Sequence, residues 1–211
     1  MSVLKLRHSF VTGLTMAALI TGGIAASAVA NAAEQGVRVR GTIVALNGDQ
    51  LQVKSREGQA VNVKLKEGWM ASAVKKASFS DIKSGDFVGI ASLPKSAGGD
   101  GALEVLIFPP ALKGTGEGSY GWDLKPNSTM TNATVGDSVK SVDGSVVTLN
   151  YHGKEKKISV PEGTPVVTLA PATQADVTPG TAVFIPAQKA ADGSLSTGQL
   201  IVGKDGVVPP M

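Results

Sequence analysis

Cysteine is absent from all 211 residues. Without it there are no disulfide staples, so any folded unit must be held together by buried apolar area. Thiol catalysis, thiolate metal sites, covalently attached haem and a lipidated N-terminal cysteine are excluded with it. Histidine is nearly absent. Of the two histidines, His8 lies in a basic N-terminal stretch, which leaves His152 as the one imidazole on which a metal site or a Ser-His-Asp triad could be built. Its setting, Tyr151-His152-Gly153-Lys154, is that of a hairpin tip, where an exposed side chain is expected. No Asp-x-Asp-x-Asp run is present to start a calcium loop. No metal and no cofactor is therefore expected.

Long apolar runs are lacking too, with one exception. Met1 to His8 carries Lys5, Arg7 and His8 and no acid. An Ala- and Gly-rich apolar run follows from Phe10 to about Ala30, closed by Ala30-Asn31-Ala32. These are the n-region, h-region and small-x-small site of a secretory signal peptide, with cleavage expected near Ala32. The expected location is periplasmic or secreted, without stable membrane insertion after cleavage. Removing 1–32 leaves roughly 180 residues, which suits one medium domain or two small ones. It also lowers the formal charge from +3 to about +1, so the basic balance does not advertise nucleic acid or anionic lipid as a partner.

From Val37 onward Val, Ile and Leu alternate with polar residues, broken at short intervals by Gly-Asp, Glu-Gly and Asp-Gly. That is a β-domain pattern. Strands are expected over 37–46, 51–55, 60–65, 87–93 and 103–108. Asn47-Gly48 is expected as a type I′ hairpin turn. Trp69 to Ala77 reads as a helix, with Trp69, Ala73 and Val74 or Ala77 on one side. The same order returns after residue 134, with strands over 139–142, 146–151, 157–160, 182–186 and 198–202. Gly58 and Gly153, Asp81 and Asp176, and Gly85 and Gly180 are each 95 residues apart. Order, spacing and chemistry together indicate an internal duplication. In the second copy Pro165 and Pro171 disfavour the helix.

Three meandering strands, a helical insertion and two further strands is the order of an OB-type barrel. The expected fold is all-β with one short helix, as two tandem OB-like barrels; a continuous β-sandwich is the alternative. The expected division is a signal peptide over 1–32, a first barrel over 33–108, an interdomain segment rich in glycine, proline and aromatics over 109–134, and a second barrel over 135–211. The run Ser80-Asp81-Ile82-Lys83-Ser84-Gly85-Asp86-Phe87-Val88 and its counterpart Ala175-Asp176-Val177-Thr178-Pro179-Gly180-Thr181-Ala182-Val183 resemble the bacterial exported family catalogued as domain of unknown function 5666. The second copy departs from that pattern at Thr181, where an acid or a polar charge is more usual. The resemblance implies small OB-like barrels and brings no activity or catalytic residues.

Motifs for chemistry are few. Gly116-Glu117-Gly118-Ser119-Tyr120-Gly121 matches G-x-G-x-x-G, but Pro109-Pro110 precede it and no strand–turn–helix setting surrounds it, so a turned loop is expected rather than a phosphate cradle. Glu104, Glu117 and Asp123 are the carboxylates from which a hydrolytic pair could be drawn. No nucleophile and base stand together, so an enzyme is not expected. Aromatic residues are only 4% of the chain, and Trp69, Tyr120 and Trp122 are the large flat rings that could stack on a ligand or partner. The competing structural role is that Trp69 packs on the first barrel while Tyr120 and Trp122 pin the interdomain segment. The functional expectation is a non-catalytic binding or accessory module for another envelope protein. Its alternative is a small-ligand or oligosaccharide binder using those three rings.

Overall fold

The computed structural model describes residues 35–141 and 144–209. The expected leader over 1–32 and residues Val142 and Asp143 of the second hairpin lie outside the described residues. The described chain is built from β1 (Gln35–Asn47), β2 (Gln50–Ser55), β3 (Ala60–Ala77), β4 (Phe87–Pro94), β5 (Asp100–Ile107), β6 (Gly118–Trp122), β7 (Ser128–Ser141), β8 (Gly144–Tyr151), β9 (Lys154–Val160), β10 (Val166–Pro171), β11 (Ala182–Lys189) and β12 (Leu195–Gly203). Its helical turns are short 3₁₀ pieces at Phe79–Asp81, Pro110–Leu112 and Gln174–Asp176. The protein is all-β.

Two five-stranded rings close. In barrel one β1 pairs with β2 and β2 with β3, β3 runs parallel to β12, β12 pairs with β11, and β11 returns to β1. In barrel two β7, β8 and β9 form the meander, β5 lies parallel to β9 at Asp100 and Gly101, and β4 returns to β7. Both follow the Greek-key order of an OB barrel. Each ring has its own apolar filling, around Ile43, Leu51 and Ile185 in barrel one and around Ile90, Leu149 and Ile158 in barrel two. Each such aliphatic side chain contributes about 1.5–3 kcal/mol by leaving water.

The strands do not sort into barrels by their place in the chain. The hairpin β4–β5, which precedes Phe108, completes the meander β7–β8–β9, and β11–β12 completes β1–β2–β3. The boundaries 33–108 and 135–211 therefore divide the sequence but not the barrels. Hydrogen bonds follow the exchange: the Gly85 N–H donates to the Val135 carbonyl at 2.8 Å and the Gly180 N–H to the Ile43 carbonyl at 2.8 Å. Both glycines have positive φ, at 88° and 87°, a conformation that favours glycine.

Trp69–Ala77 is not a helix. It continues β3, which gains a parallel partner in β12 and an antiparallel one in β10, so neighbouring strands satisfy the backbone that a helix would satisfy internally. Tertiary pairing here overrides local propensity. In the second half, where prolines disfavour a helix, the counterpart is likewise a strand: Val166–Pro171 is β10, with Pro165 just before it and Pro171 at its end. Val74 pairs with Leu169, and Ala71 with Leu200 as Val166 with Val105. The ladder joining the barrels thus keeps the 95-residue relation about a pseudo-twofold centre at Val74 and Leu169.

Between the barrels lies a third apolar cluster, with Val74, Leu106, Val167 and Phe184 buried and Phe108 and Trp122 packed against them. Where β11 carries Phe184, β4 carries Gly89. A Cβ at Gly89 would sit 3.2 Å from the ring of Phe108, so on that side the phenylalanine comes from the residue just after β5.

The first hairpin turns at Gly48-Asp49, since Asn47 and Gln50 pair. Positive φ falls on Gly48 alone, the pattern of a type II′ rather than a type I′ turn. His152 and Gly153 both have positive φ, 45° and 72°, so the type I′ pattern belongs to the β8–β9 hairpin.

Candidate functional site

The stretch between Phe108 and β7 folds back on barrel two. After the 3₁₀ turn at Pro110–Leu112, β6 runs antiparallel to the first five residues of β7, from Gly118 opposite Asn132 to Trp122 opposite Ser128. Ser128 closes the connecting turn, accepting from the Lys125 N–H at 3.1 Å with its hydroxyl 2.7 Å from the Lys125 carbonyl. Residues 128–134 therefore belong to a barrel strand and not to a linker. Their alternation was obscured in the sequence by threonine, asparagine and methionine standing where valine or isoleucine is usual.

Tyr120 and Trp122 meet edge to face, with ring centroids 6.1 Å apart. Tyr120 is 39% exposed, and its hydroxyl accepts from the Asn132 side-chain amide at 3.2 Å. Burial of the ring raises its phenol above the usual value. Trp122 packs into the apolar cluster between the barrels. The Arg38 guanidinium covers its other face at 3.8 Å from the ring centroid, a cation–π contact. Its indole N–H is buried without an acceptor among the described residues.

Beside it the Asp123 carboxylate accepts from Arg40 at 2.8 Å and lies 3.7 Å from Arg38. Partial burial pushes the Asp123 pKa up, but the hydrogen bond from Arg40 and the charges of Arg40 and Arg38 outweigh it and hold the carboxyl below its ordinary value. Trp122 and Asp123 thus fasten β6, which belongs to barrel two, to β1 of barrel one. The partly buried Trp122 ring is engaged by the apolar cluster and by Arg38.

Trp69 does not join that pair. It packs against the core of barrel one and lines a cleft of about 470 Å³ with Gly48, Asp49, Lys64, Glu67 and Gln174, next to the β1–β2 turn. The three aromatics do not form one site.

The candidate carboxylates are also dispersed. Glu104 is buried on β5, Glu117 accepts the His152 N–H at 3.0 Å, and Asp123 is held by arginines. His152 is exposed at its hairpin tip. No group of three or more His, Asp or Glu side chains is placed to hold a metal ion among the described residues. The G-x-G-x-x-G run turns at Gly116 and enters β6 at Gly118; no helix N-terminus follows it, so it lacks the geometry of a phosphate cradle. No helix of the described residues is long and apolar enough to cross a membrane.

A site that no sequence motif marked emerges from comparing the barrels. In both, the first strand of the meander extends beyond the next hairpin. In barrel two that extension, Ser128–Asn132, pairs with β4 on one side and β6 on the other, and four of its five residues are buried. In barrel one the equivalent stretch is Gly36–Arg40, as the shared pairing of Val39 with Ile185 and of Thr131 with Ile90 shows. It pairs with β11 on one side, no strand among the described residues pairs with the other, and only Val39 is buried. A small cleft of about 150 Å³ lies along this edge, lined by Arg38, Arg40, Ser55, Arg56, Gln59 and Val61 among others. The Val37/Val39 and Arg38/Arg40 alternation could be seen in the sequence, but only topology shows that the edge is open.

No family model, no curated protein and no solved structure matches the chain.

Proposed function

We propose that the protein is an exported, non-catalytic binding module, made of two OB-like units and acting as an accessory to another envelope protein. The observation that carries this reading is the difference between equivalent strand edges: Ser128–Asn132 is paired with the chain's own β6, and no strand among the described residues pairs with the outer edge of Gly36–Arg40. An exposed edge of a sheet is a template for pairing with another polypeptide. The export part rests on the leader pattern of 1–32, and the mature chain would begin at Ala33. The equivalent registers of the two rings, both with OB strand order, support descent from a duplicated unit of the kind that the 5666 family resemblance suggests.

A photo-crosslinking residue at Gln59, beside the open edge, tests this in living cells. It should trap one defined envelope protein that the same residue at Asp192, in the β11–β12 turn, does not trap. An identical set of products from both positions overturns the reading.

A second reading has its own observation. The Trp69 cleft lies beside the β1–β2 turn and β3, where OB barrels bind oligosaccharides and nucleic acids, and it carries a polar rim of Asp49, Lys64, Glu67 and Gln174. With charge so nearly balanced, a sugar suits it better than a polyanion. Tryptophan fluorescence during titration with a panel of oligosaccharides tests it: saturable change that Trp69→Phe abolishes supports it, and a flat response from every sugar removes it.

A further inference from the structure

We propose that the open edge of β1 accepts an acidic, extended segment of a partner polypeptide as an added strand, antiparallel to β1. The proposal rests on the binding-module reading and names the partner's chemistry. The template is the molecule itself, because β6 occupies the equivalent edge of barrel two as a five-residue antiparallel strand.

The backbone of β1 is oriented for this. The Arg40 carbonyl accepts the Arg56 N–H at 2.8 Å, on the side away from β11. Peptide groups of alternate residues in a strand share a side, so those of Gly36 and Arg38 face the same open flank.

Charge then selects the occupant. Every arginine beyond Arg7 in the sequence, namely Arg38, Arg40 and Arg56, borders this edge. Arginine matches a carboxylate with a rigid fork of donors. Asp123 engages Arg40 and Arg38, and Glu57 engages Arg56 at 3.2 Å. The Arg38 and Arg56 side chains nevertheless remain 33% and 45% exposed and can meet a further acid. The cis occupant of barrel two is likewise entered from an acid: Glu117 leads into β6 and accepts the backbone N–H of His152, the hairpin residue that stands where Arg56 stands in barrel one. A second copy of the chain fits worse. Antiparallel pairing of two β1 edges would set Arg38 and Arg40 beside their own copies, and like charges across a strand pair are destabilising.

The test titrates the purified full chain with two labelled peptides, Val-Glu-Val-Glu-Val-Glu and Val-Lys-Val-Lys-Val-Lys, reading anisotropy and amide exchange. The acidic peptide should bind saturably and slow exchange at Gly36 and Arg38, while the basic peptide should not bind. Arg56→Glu should weaken the acidic peptide by about five-fold, the scale of one exposed ion pair, and should let the basic peptide bind. Arg56→Gln serves as the milder variant if the charge reversal disturbs the fold.

Equal binding of both peptides, with protection at Gly36 and Arg38, overturns the acidic preference and leaves strand addition standing. Absence of binding by either peptide overturns the edge as a strand acceptor, while the binding-module reading stands or falls separately on the Gln59 crosslink. Protection of those amides in the isolated chain also overturns the proposal, and sedimentation then distinguishes a dimer from a segment of the same chain.

Discussion

Gly36–Arg40 and Ser128–Asn132 occupy the same place in their two barrels, and their surroundings differ. Both pair with the incoming hairpin, β11 in one case and β4 in the other. In barrel two a third strand covers the outer edge; in barrel one arginines and a hairpin turn border it. The side chains of the equivalent strands differ accordingly. The covered strand carries Met130, Thr131 and Asn132, which are buried, and the uncovered one carries Arg38 and Arg40, which keep contact with water. The lesson is that one ring order supports two kinds of edge, and that side chains record which edge was meant to be closed.

The comparison breaks most completely if the barrels are separated. A fragment ending at Gly114 contains β1 to β5 and lacks β11 and β12, so the core of barrel one has two walls missing. Alone it should show no cooperative unfolding by circular dichroism. Mixed with the remaining fragment it should regain a single transition, because each part supplies the hairpin that the other lacks. A fragment that folds alone would mean that β4–β5 can close either meander, leaving the tether to decide which one it closes.

Next in size is the pin between the barrels. Trp122→Ala removes a ring packed in the central cluster beneath Arg38 and should cost about 2–4 kcal/mol in urea denaturation, the range for large buried side chains. Tyr120→Ala, at a ring 39% exposed, should cost roughly 1 kcal/mol, below the buried-aromatic range. Equal losses would show that the two aromatics do not divide into a pin and an outer neighbour.

The fold class was legible in the sequence because alternation, turn glycines and the 95-residue spacing repeat a local pattern. The exchange of hairpins was not, since nothing in β4–β5 names the meander it will close: Ile90 and Ile185 would fill either core. The helix expected at Trp69–Ala77 failed for a related reason, as a short alanine-rich run yields to two flanking strands. Of the candidate residues, Tyr120 and Trp122 could be singled out as aromatics in a polar, glycine-rich segment. Their partners Arg38 and Arg40 lie more than eighty residues away in the chain, beyond the reach of spacing arguments. The open edge was invisible for the same reason.

Hydrogen exchange sharpens the comparison at smaller cost to the protein. Amides of 128–132 are held between two strands, and those of Gly36 and Arg38 face the open side, so the latter should exchange at least about a hundred-fold faster, since unpaired edges need no opening step. Comparable protection in both stretches would mean that the edge of barrel one is filled.

The smallest effect separates what the barrels share from what is particular to the pin. Asp81 and Asp176 occupy matching 3₁₀ turns, where each accepts the backbone N–H three residues back, from Ser78 at 2.8 Å and Thr173 at 2.7 Å. Those backbone hydrogen bonds lower both carboxyl pKa values. Asp81→Ala and Asp176→Ala should therefore reduce the melting temperature by similar amounts. Asp123 has no such twin. Its carboxyl is lowered in the fold because the arginines outweigh its burial, so its contribution is complete above the unfolded carboxylate value, about 4. That contribution is lost as pH falls through the lower folded value. Asp123→Asn should cost about 0.5–1 kcal/mol near neutrality, as expected for a half-exposed pair. Wild type and variant should converge once the pH has fallen below that lowered folded value and the wild-type carboxyl protonates. A gap between them that stays constant down to low pH would show that Asp123 acts through the shape of the turn after β6 and not through its charge on Arg38 and Arg40.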